Sequence, residues 1–269
     1  MTIHQPTTEA FQQSQSKHRR ANDGVAATQV LLAAALLAIW ETAGRYLNSS
    51  WISRPSKVAE QIWTWIQGDL LTHIAVTGSE MLIGLSIGIS LGVISGILLG
   101  RSGLLAIVMR PIVVTLYSVP MVSLAPLFIM FFGVDMMPKI VLVSIVVFFL
   151  IFFNTFAGVS KVDNDLVAVI ELMGASPREQ FQKIIFPSCM SWIMAGIKIA
   201  LPYALVAAVT GEMIASRQGL GSIITRAASR FDMTALYAVL LILMVMGLLV
   251  SEFASRLEKW VLRWRGADE

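Results

Sequence analysis

Six stretches of the chain, at about 26–46, 76–100, 111–132, 138–158, 191–215 and 235–254, are apolar nearly throughout, and polar and charged residues gather between them. Each is close to the ~20 residues an α-helix needs to cross the ~30 Å hydrocarbon core of a bilayer. The pattern predicts an all-α, polytopic membrane protein with six transmembrane helices. Residues 1–24 are rich in Gln, Ser and Thr without any period, which predicts a disordered cytoplasmic tail. Residues 25–72 then hold the first span and an outer segment, 73–257 a five-helix core with a long loop at about 160–190, and 258–269 a cytoplasmic tail. Trp40-Glu41-Thr42-Ala43-Gly44-Arg45 is a poor cleavage site, so the first block is expected to stay as an anchor.

Within the second span Gly84, Gly88, Gly92, Gly96 and Gly100 recur every four residues. On a helix that spacing drifts only about 40° per step, so the glycines form one slowly winding groove for another backbone. A tight contact inside one subunit is the preferred reading, and a dimer seam is the alternative. The third span carries Arg110-Pro111, Pro120 and Pro126, which remove amide donors and predict a broken helix. Such breaks are tolerated at membrane depth where freed carbonyls face protein or a water-filled path. Pro120 and Pro126 are therefore candidate pathway residues, with a packing kink as the alternative.

The 160–190 loop is too long for a turn. Asp163 can cap a helix carrying Leu166, Ile170 and Met173, which Gly174 would stop. Directly after it, Ser176-Pro177-Arg178-Glu179 has the pattern of a capping box with proline at the first helical position. A second short helix is expected from there, carrying Phe181, Ile184 and Ile185 and ending at Pro187. The first helix, about eleven residues or roughly 16 Å, is too short to cross a bilayer. It either lies in the headgroups or docks on a soluble partner.

Composition agrees with a membrane protein: 56% of residues are hydrophobic and 14% charged, and the mean hydropathy is +0.74. A soluble chain could not hide so much apolar surface. The net charge of +3 does not indicate nucleic acid, because the basic residues fall between apolar blocks. With both termini cytoplasmic, the inner segments hold Lys17, Arg19, Arg20, Arg101, Arg110, Lys161, Arg178, Lys183, Arg256, Lys259, Arg263 and Arg265. The outer segments hold the shorter set Arg45, Arg54, Lys57, Lys139, Arg217, Arg226 and Arg230. This bias favours termini inside. Cys189 is the only cysteine, so neither an internal disulfide nor a thiolate cluster can form, and His4, His18 and His73 are too scattered to suggest a metal site.

The run from Gly174 through Ala175, Ser176, Pro177, Phe181 and Ile184 to Pro187 resembles the cytoplasmic loop signature of importer permeases, EAA-x3-G-x9-I-x-LP. Gly174, Ile184 and Pro187 are in register. Phe186 replaces the usual leucine, and Ala168-Val169-Ile170 stand where EAA is expected. Glu171, one helical turn on, is a candidate substitute for the missing acid. Glu212-Met213 with Gly219-Leu220-Gly221, Ala125-Pro126-Leu127 with Phe132-Gly133, and Phe153-Asn154-Thr155 with Gly158 are similar to the nitrate, sulfonate and taurine branch of type I ABC importer permeases. The resemblance implies a homodimer in the bacterial inner membrane whose coupling helices, around 163–175, seat on two ABC ATPase subunits. A periplasmic solute-binding protein would deliver a small anionic solute. ATP and Mg would be bound by the partner ATPase, with no catalytic residue and no cofactor on this chain. Consistently, the sequence has no Gly-Lys dipeptide and hence no GxxxxGK[ST] phosphate loop.

Charged residues near the spans are costly unless snorkelling, paired or wet. Lys198 is expected to snorkel, and it lies roughly 21 Å from Glu212 along a straight helix, too far to pair. Glu212, before the Gly219–Gly221 turn, is either part of a gate or of a contact to the delivering protein, or else a structural hydrogen-bond partner. Ile223, Ile224, Ala227, Ala228 and Phe231, with Arg226 and Arg230, predict a short amphipathic helix on the outer surface. An ion-coupled secondary transporter is the alternative function. Apart from Glu212, the acids near a span, Glu41, Glu80 and Glu252, lie toward span ends, which argues against the deeply buried acids such a transporter uses.

Overall fold

The computed structural model describes residues 28–46 and 51–263. The predicted N-terminal tail and the extreme C-terminus, with Trp264 and Arg265, lie outside the described residues. Every regular element described is helical: α1 (28–46), α2 (Pro55–Ile66), α3 (Leu70–Arg101), α4 (Gly103–Tyr117), a 3-10 turn (Met121–Leu124) and α5 (Ala125–Phe132). They are followed by α6 (Met136–Ser160), α7 (Asn164–Leu172), α8 (Pro177–Gln180), a π-turn (Phe181–Ile185), α9 (Phe186–Ala215), α10 (Leu220–Ser229) and α11 (Met233–Val261).

The glycine groove of α3 is filled by α6. A Cβ at Gly84, Gly88, Gly92, Gly96 or Gly100 would come within 2.6–2.8 Å of the Cβ of Val143, Val147, Ile151, Thr155 or Val159 respectively. Where lipid is the alternative neighbour, such absent side chains let backbones approach and gain dispersion contact. The seam is therefore internal to one chain. It also fixes direction, since both residue series rise together and α3 and α6 run parallel. The chain between them must cross back, and α4 with α5 does so as a pair bent by 74°.

Only one of the three prolines makes that break. Pro111 sits inside α4, Pro120 caps the 3-10 turn, and Pro126 is in the first turn of α5, where its missing amide costs nothing. α9 returns antiparallel against α6, with Gly158 under Trp192, Gly196 against Asn154 and Gly211 against Lys139. The core lies among α3, α6 and α9 and uses Leu142, Val143, Val147 and Ile151 against Ala200, Ala204 and Ala208.

A second difference from expectation lies at Pro187. The short helix predicted to end there instead continues, so residues Pro177–Ala215 form one helical rod. The π-turn absorbs the proline: the carbonyl that its ring would meet, four residues back at Lys183, falls within the widened turn Phe181–Ile185.

Among the described residues, four long apolar helices, α3, α6, the Pro177–Ala215 rod and α11, together with the α4–α5 pair taken as one bent span, make five crossings. The sixth expected crossing is the helix over 28–46. Glu41 and Arg45 in its last turns cut its apolar run; Glu41 pairs with Arg45 and caps α2 through the Ser56 amide. The helix rests on α11 through Trp40 and Tyr237, whose ring centroids are 5.5 Å apart. Five of the six expected crossings are thus present among the described residues, and the first expected block, from about residue 26, begins outside them.

Candidate functional site

One end of the bundle carries α7 and α8. Asp163 Oδ1 accepts the Asp165 amide at 2.8 Å and so caps α7. At the other end Gly174, with φ +83, lets its own amide reach the Glu171 carbonyl (2.9 Å) and the Ala175 amide reach that of Ile170 (3.0 Å). These two hydrogen bonds close the helix in a Schellman arrangement that a residue with a side chain at 174 would strain. The capping box is formed as the sequence predicts: Ser176 Oγ accepts from the Glu179 amide, and Glu179 Oε2 accepts from the Ser176 amide at 2.9 Å. A third bond, Lys183 Nζ to Glu179 Oε1 at 3.1 Å, holds the box closed.

Between these caps α7 is a rigid helix whose apolar residues are exposed. Leu166 and Val169 are more than half exposed, Leu172 is 89% and Met173 81% exposed, and Ile170 is partly covered. Glu171 and Pro177 also face outward. Phe181 is different: it packs with Val159, Ile185, Cys189 and Ile193, against Phe186 at 5.9 Å. It anchors the loop to the bundle rather than offering a surface. Ile184 is partly buried, as is Pro187.

The opposite end holds a buried polar cluster. Glu212 is fully buried, its Oε1 accepting from Thr77 Oγ1 and its Oε2 from the Gly221 amide, each at 2.7 Å. The Leu220 amide donates to Thr77 Oγ1, and the Gly219 amide to His73 Nδ1, both at 2.9 Å. Thus the 219–221 turn delivers three successive amides onto α3 and α9. Gly219, at φ +97, lies against the Glu212 carboxylate, and a Cβ at Gly221 would meet Glu212 Cβ at 2.7 Å. Both glycines are needed for this approach. Glu80, also fully buried, ion-pairs with Lys139 at 2.5 Å, and Lys139 Nζ donates to Ser216 Oγ at 3.1 Å. The structural reading of Glu212, a hydrogen-bond partner to neighbouring elements, describes its environment within one chain.

Sequence reasoning missed Glu80 and Lys139 as cluster members, though the signal was present. Glu80 stands four residues before Gly84, and Lys139 four before Val143, so they extend the same facing pairs by one turn. Lys198 is not merely snorkelling, since its Nζ pairs with Glu258 at 2.8 Å. α10 forms as expected, with Leu220, Ile223 and Ala227 buried and packed toward Leu70, Val239 and Ile242. Phe231, assigned to its apolar stripe, is exposed and meets Trp51 edge-on at 6.0 Å.

Beside the bent pair, toward the α7 end, lies a cavity of about 500 Å³. Phe152, Phe153, Phe156 and Val114 line it, and its charged lining residues are Arg110 and Lys161. Lys161 also sits 4.4 Å from the Trp192 ring centre. Pro120 is exposed and Pro126 lies on the partly exposed α5, so this chain leaves the bent segment open along one side.

These features define a polytopic helical membrane protein that presents a capped apolar helix beyond one end of its bundle. Residues 88–263 match the family described as binding-protein-dependent transport system inner membrane component. The chain is 30% identical to the putative aliphatic sulfonates transport permease protein SsuC of Bacillus subtilis (strain 168), over 89% of this chain and 88% of that one. To the formylaminopyrimidine transport permease protein ThiX of Halalkalibacterium halodurans it is 27% identical, over 86% and 92%. Among solved structures, an inward-facing MetNI methionine ABC transporter superposes with a TM-score of 0.60 at 20% identity, covering 75% of this chain and 98% of that one. The chain belongs to the binding-protein-dependent transport system inner membrane component family, and it is a permease of the ABC importer kind with the type I fold.

Proposed function

We propose that the chain forms, as a homodimer, the translocation pathway of an importer for a small anionic solute such as a sulfonate, taurine or nitrate. Two separate ABC ATPase subunits bind ATP and Mg and seat α7, and a solute-binding protein delivers the solute at the opposite end. The α7 end then faces the cytoplasm together with both termini, and the Glu212 end faces the periplasm. The observation that carries the reading is α7 itself: Leu166, Val169, Leu172 and Met173 are exposed on a helix fixed at both ends by specific caps. An exposed apolar surface of this kind marks an interaction site, and here it supports docking of a protein partner.

Support for an anionic solute comes from the SsuC relatives and from Arg110 and Lys161 beside an otherwise apolar cavity. A further relative is named for riboflavin transport, so solutes differ among chains of this similarity. The secondary-transporter alternative gains the buried Glu80, which the sequence argument discounted, beside Glu212, which it did not. It has no counterpart to α7, and family membership stands against it.

The test is co-purification of the ATPase with the chain. Leu166→Asp and Val169→Asp should abolish capture without changing the permease's melting temperature, and Gly174→Val should weaken it. Unchanged capture in both Asp variants would overturn the assignment of α7.

A further inference from the structure

The cavity beside the bent pair, about 500 Å³, is far larger than a nitrate needs. It falls within the ~300–1,000 Å³ of sites that take organic ligands. An ion little bigger than a water molecule, whose share of the liquid is ~30 Å³, would leave most of it to solvent. Its wall is aromatic. Phe152 and Phe156, one turn apart on α6, stack with ring centroids 5.8 Å apart, and Phe153 meets Phe152 edge-on at 5.4 Å and Tyr117 of α4 at 5.2 Å. Phe152 is only 3% exposed, so its ring is fixed by packing and does not fold into the space.

The polar groups are few and their charge is of one sign. Among the described residues that line the cavity, only Arg110, Ser160 and Lys161 have side chains with hydrogen-bonding nitrogen or oxygen, and none is an acid. Ser160 Oγ gives its proton to the Phe156 carbonyl at 2.9 Å, which leaves the lining without a free neutral side-chain donor. Neither Arg110 nor Lys161 is ion-paired among the described residues. The Trp192 ring, 4.4 Å away, holds the Lys161 ammonium without cancelling its charge. Going back along α6 from Lys161, Phe156 and Phe152 lie about 8 and 14 Å toward the middle of the bundle. An inorganic anion here would find its charge matched on one side and hydrocarbon on the others, which is costly. A zwitterion such as taurine would bring its ammonium to a wall with two cations and no carboxylate.

We infer that the solute this cavity takes is an aromatic anion, with a flat ring system against Phe152, Phe153 and Phe156 and one sulfonate or carboxylate held by Arg110 and Lys161. The inference rests on the reading of this chain as an anion permease and narrows it from any small anion to one with a flat apolar body. The stacked and edge-on phenylalanines offer such a body the offset and T-shaped contacts that rings prefer. The planar fork of Arg110 matches two oxygens of the acid group, and Lys161 adds a point charge beside it. An alkyl chain of equal length fills the same space without the ring contacts.

Equilibrium dialysis of the fluorescent probe naphthalene-2-sulfonate against the full-length chain in lipid discs tests this, with empty discs as the blank. The probe should bind at least about tenfold more tightly than taurine or nitrate, which lack the ring contacts or bring an unmatched ammonium. Arg110→Gln and Lys161→Gln should each weaken it about tenfold, the usual loss of a charge-assisted hydrogen bond. Phe156→Leu should weaken it roughly threefold and leave hexanesulfonate unchanged; Phe153→Leu makes the same comparison if Phe156→Leu does not fold. An anionic lipid shares the chemistry of an acid group on an apolar body, so the binding is repeated in phosphatidylcholine and in phosphatidylglycerol discs, and equal affinity in both is expected. Taurine, nitrate or hexanesulfonate bound as tightly as the probe would overturn the inference and leave the anion permease standing. Affinity unchanged in every variant, or lost in phosphatidylglycerol discs, would overturn it by removing the solute from the cavity. Capture of the ATPase through α7 reports on the permease reading separately in each case.

Discussion

Gly219 lies directly over the carboxylate of Glu212: at φ +97, a Cβ on residue 219 would fall on the oxygen that Thr77 binds. Gly219→Ala therefore carries two penalties, the strained backbone, of roughly 1–3 kcal/mol, and the displacement of a buried charged hydrogen bond, of about the same size. Gly133 has φ +80 with open space around it, so Gly133→Ala should pay only the first. Thermal unfolding in detergent should rank Gly219→Ala well below Gly133→Ala, and equal effects would remove the contact from the account.

The α3–α6 seam makes a similar paired prediction. At Gly88 an added Cβ meets the Ser144 carbonyl and the Val147 side chain at 2.7 Å, whereas at Gly78 nothing lies within 4 Å. Gly88→Ala should destabilise by about 1–3 kcal/mol, the usual cost of overpacking, and Gly78→Ala should be tolerated. Melting of the two purified variants checks this.

Much of this architecture was legible in the chain because its signals are local. Asp163, Gly174 and the Ser176–Glu179 box act within one turn of themselves, and the four-residue glycine period needs only a neighbour to fill it. What was not legible depended on distant partners. That Pro187 does not end a helix required the π-turn before it, and that Pro120 alone breaks the third crossing required the positions of the turns around it. Glu80 and Lys139 looked like residues near span ends until α3 and α6 were placed in register. Glu258, which captures Lys198, lies sixty residues away in sequence. Hydropathy also counted the 28–46 helix as equal to the others, although Glu41 and Arg45 give it a polar end.

The capping box predicts a local effect. Ser176→Ala removes the side-chain acceptor for the Glu179 amide, worth about 1 kcal/mol, and with it the hydroxyl donor to the Glu179 carboxylate that also holds Lys183. Hydrogen exchange should rise in residues 176–183 while α3 and α6 stay protected. Uniform exchange across the bundle would mean the box supports the whole fold rather than the loop.

Charge reversal at the cavity addresses the solute. Arg110→Glu and Lys161→Glu should each reduce uptake of a sulfonate at least several-fold while leaving ATPase capture intact, since neither residue lies on α7. Initial uptake rates in proteoliposomes, with capture as the control, check this. Unaltered rates in both variants would take the cavity out of the solute's path.

Energy coupling tests the central claim most directly. Proteoliposomes containing this chain with its ATPase subunits and solute-binding protein should take up solute only when ATP is supplied on the ATPase side, and Leu166→Asp on α7 should stop uptake. Accumulation by this chain alone under an ion gradient, without ATPase or binding protein, would contradict the account.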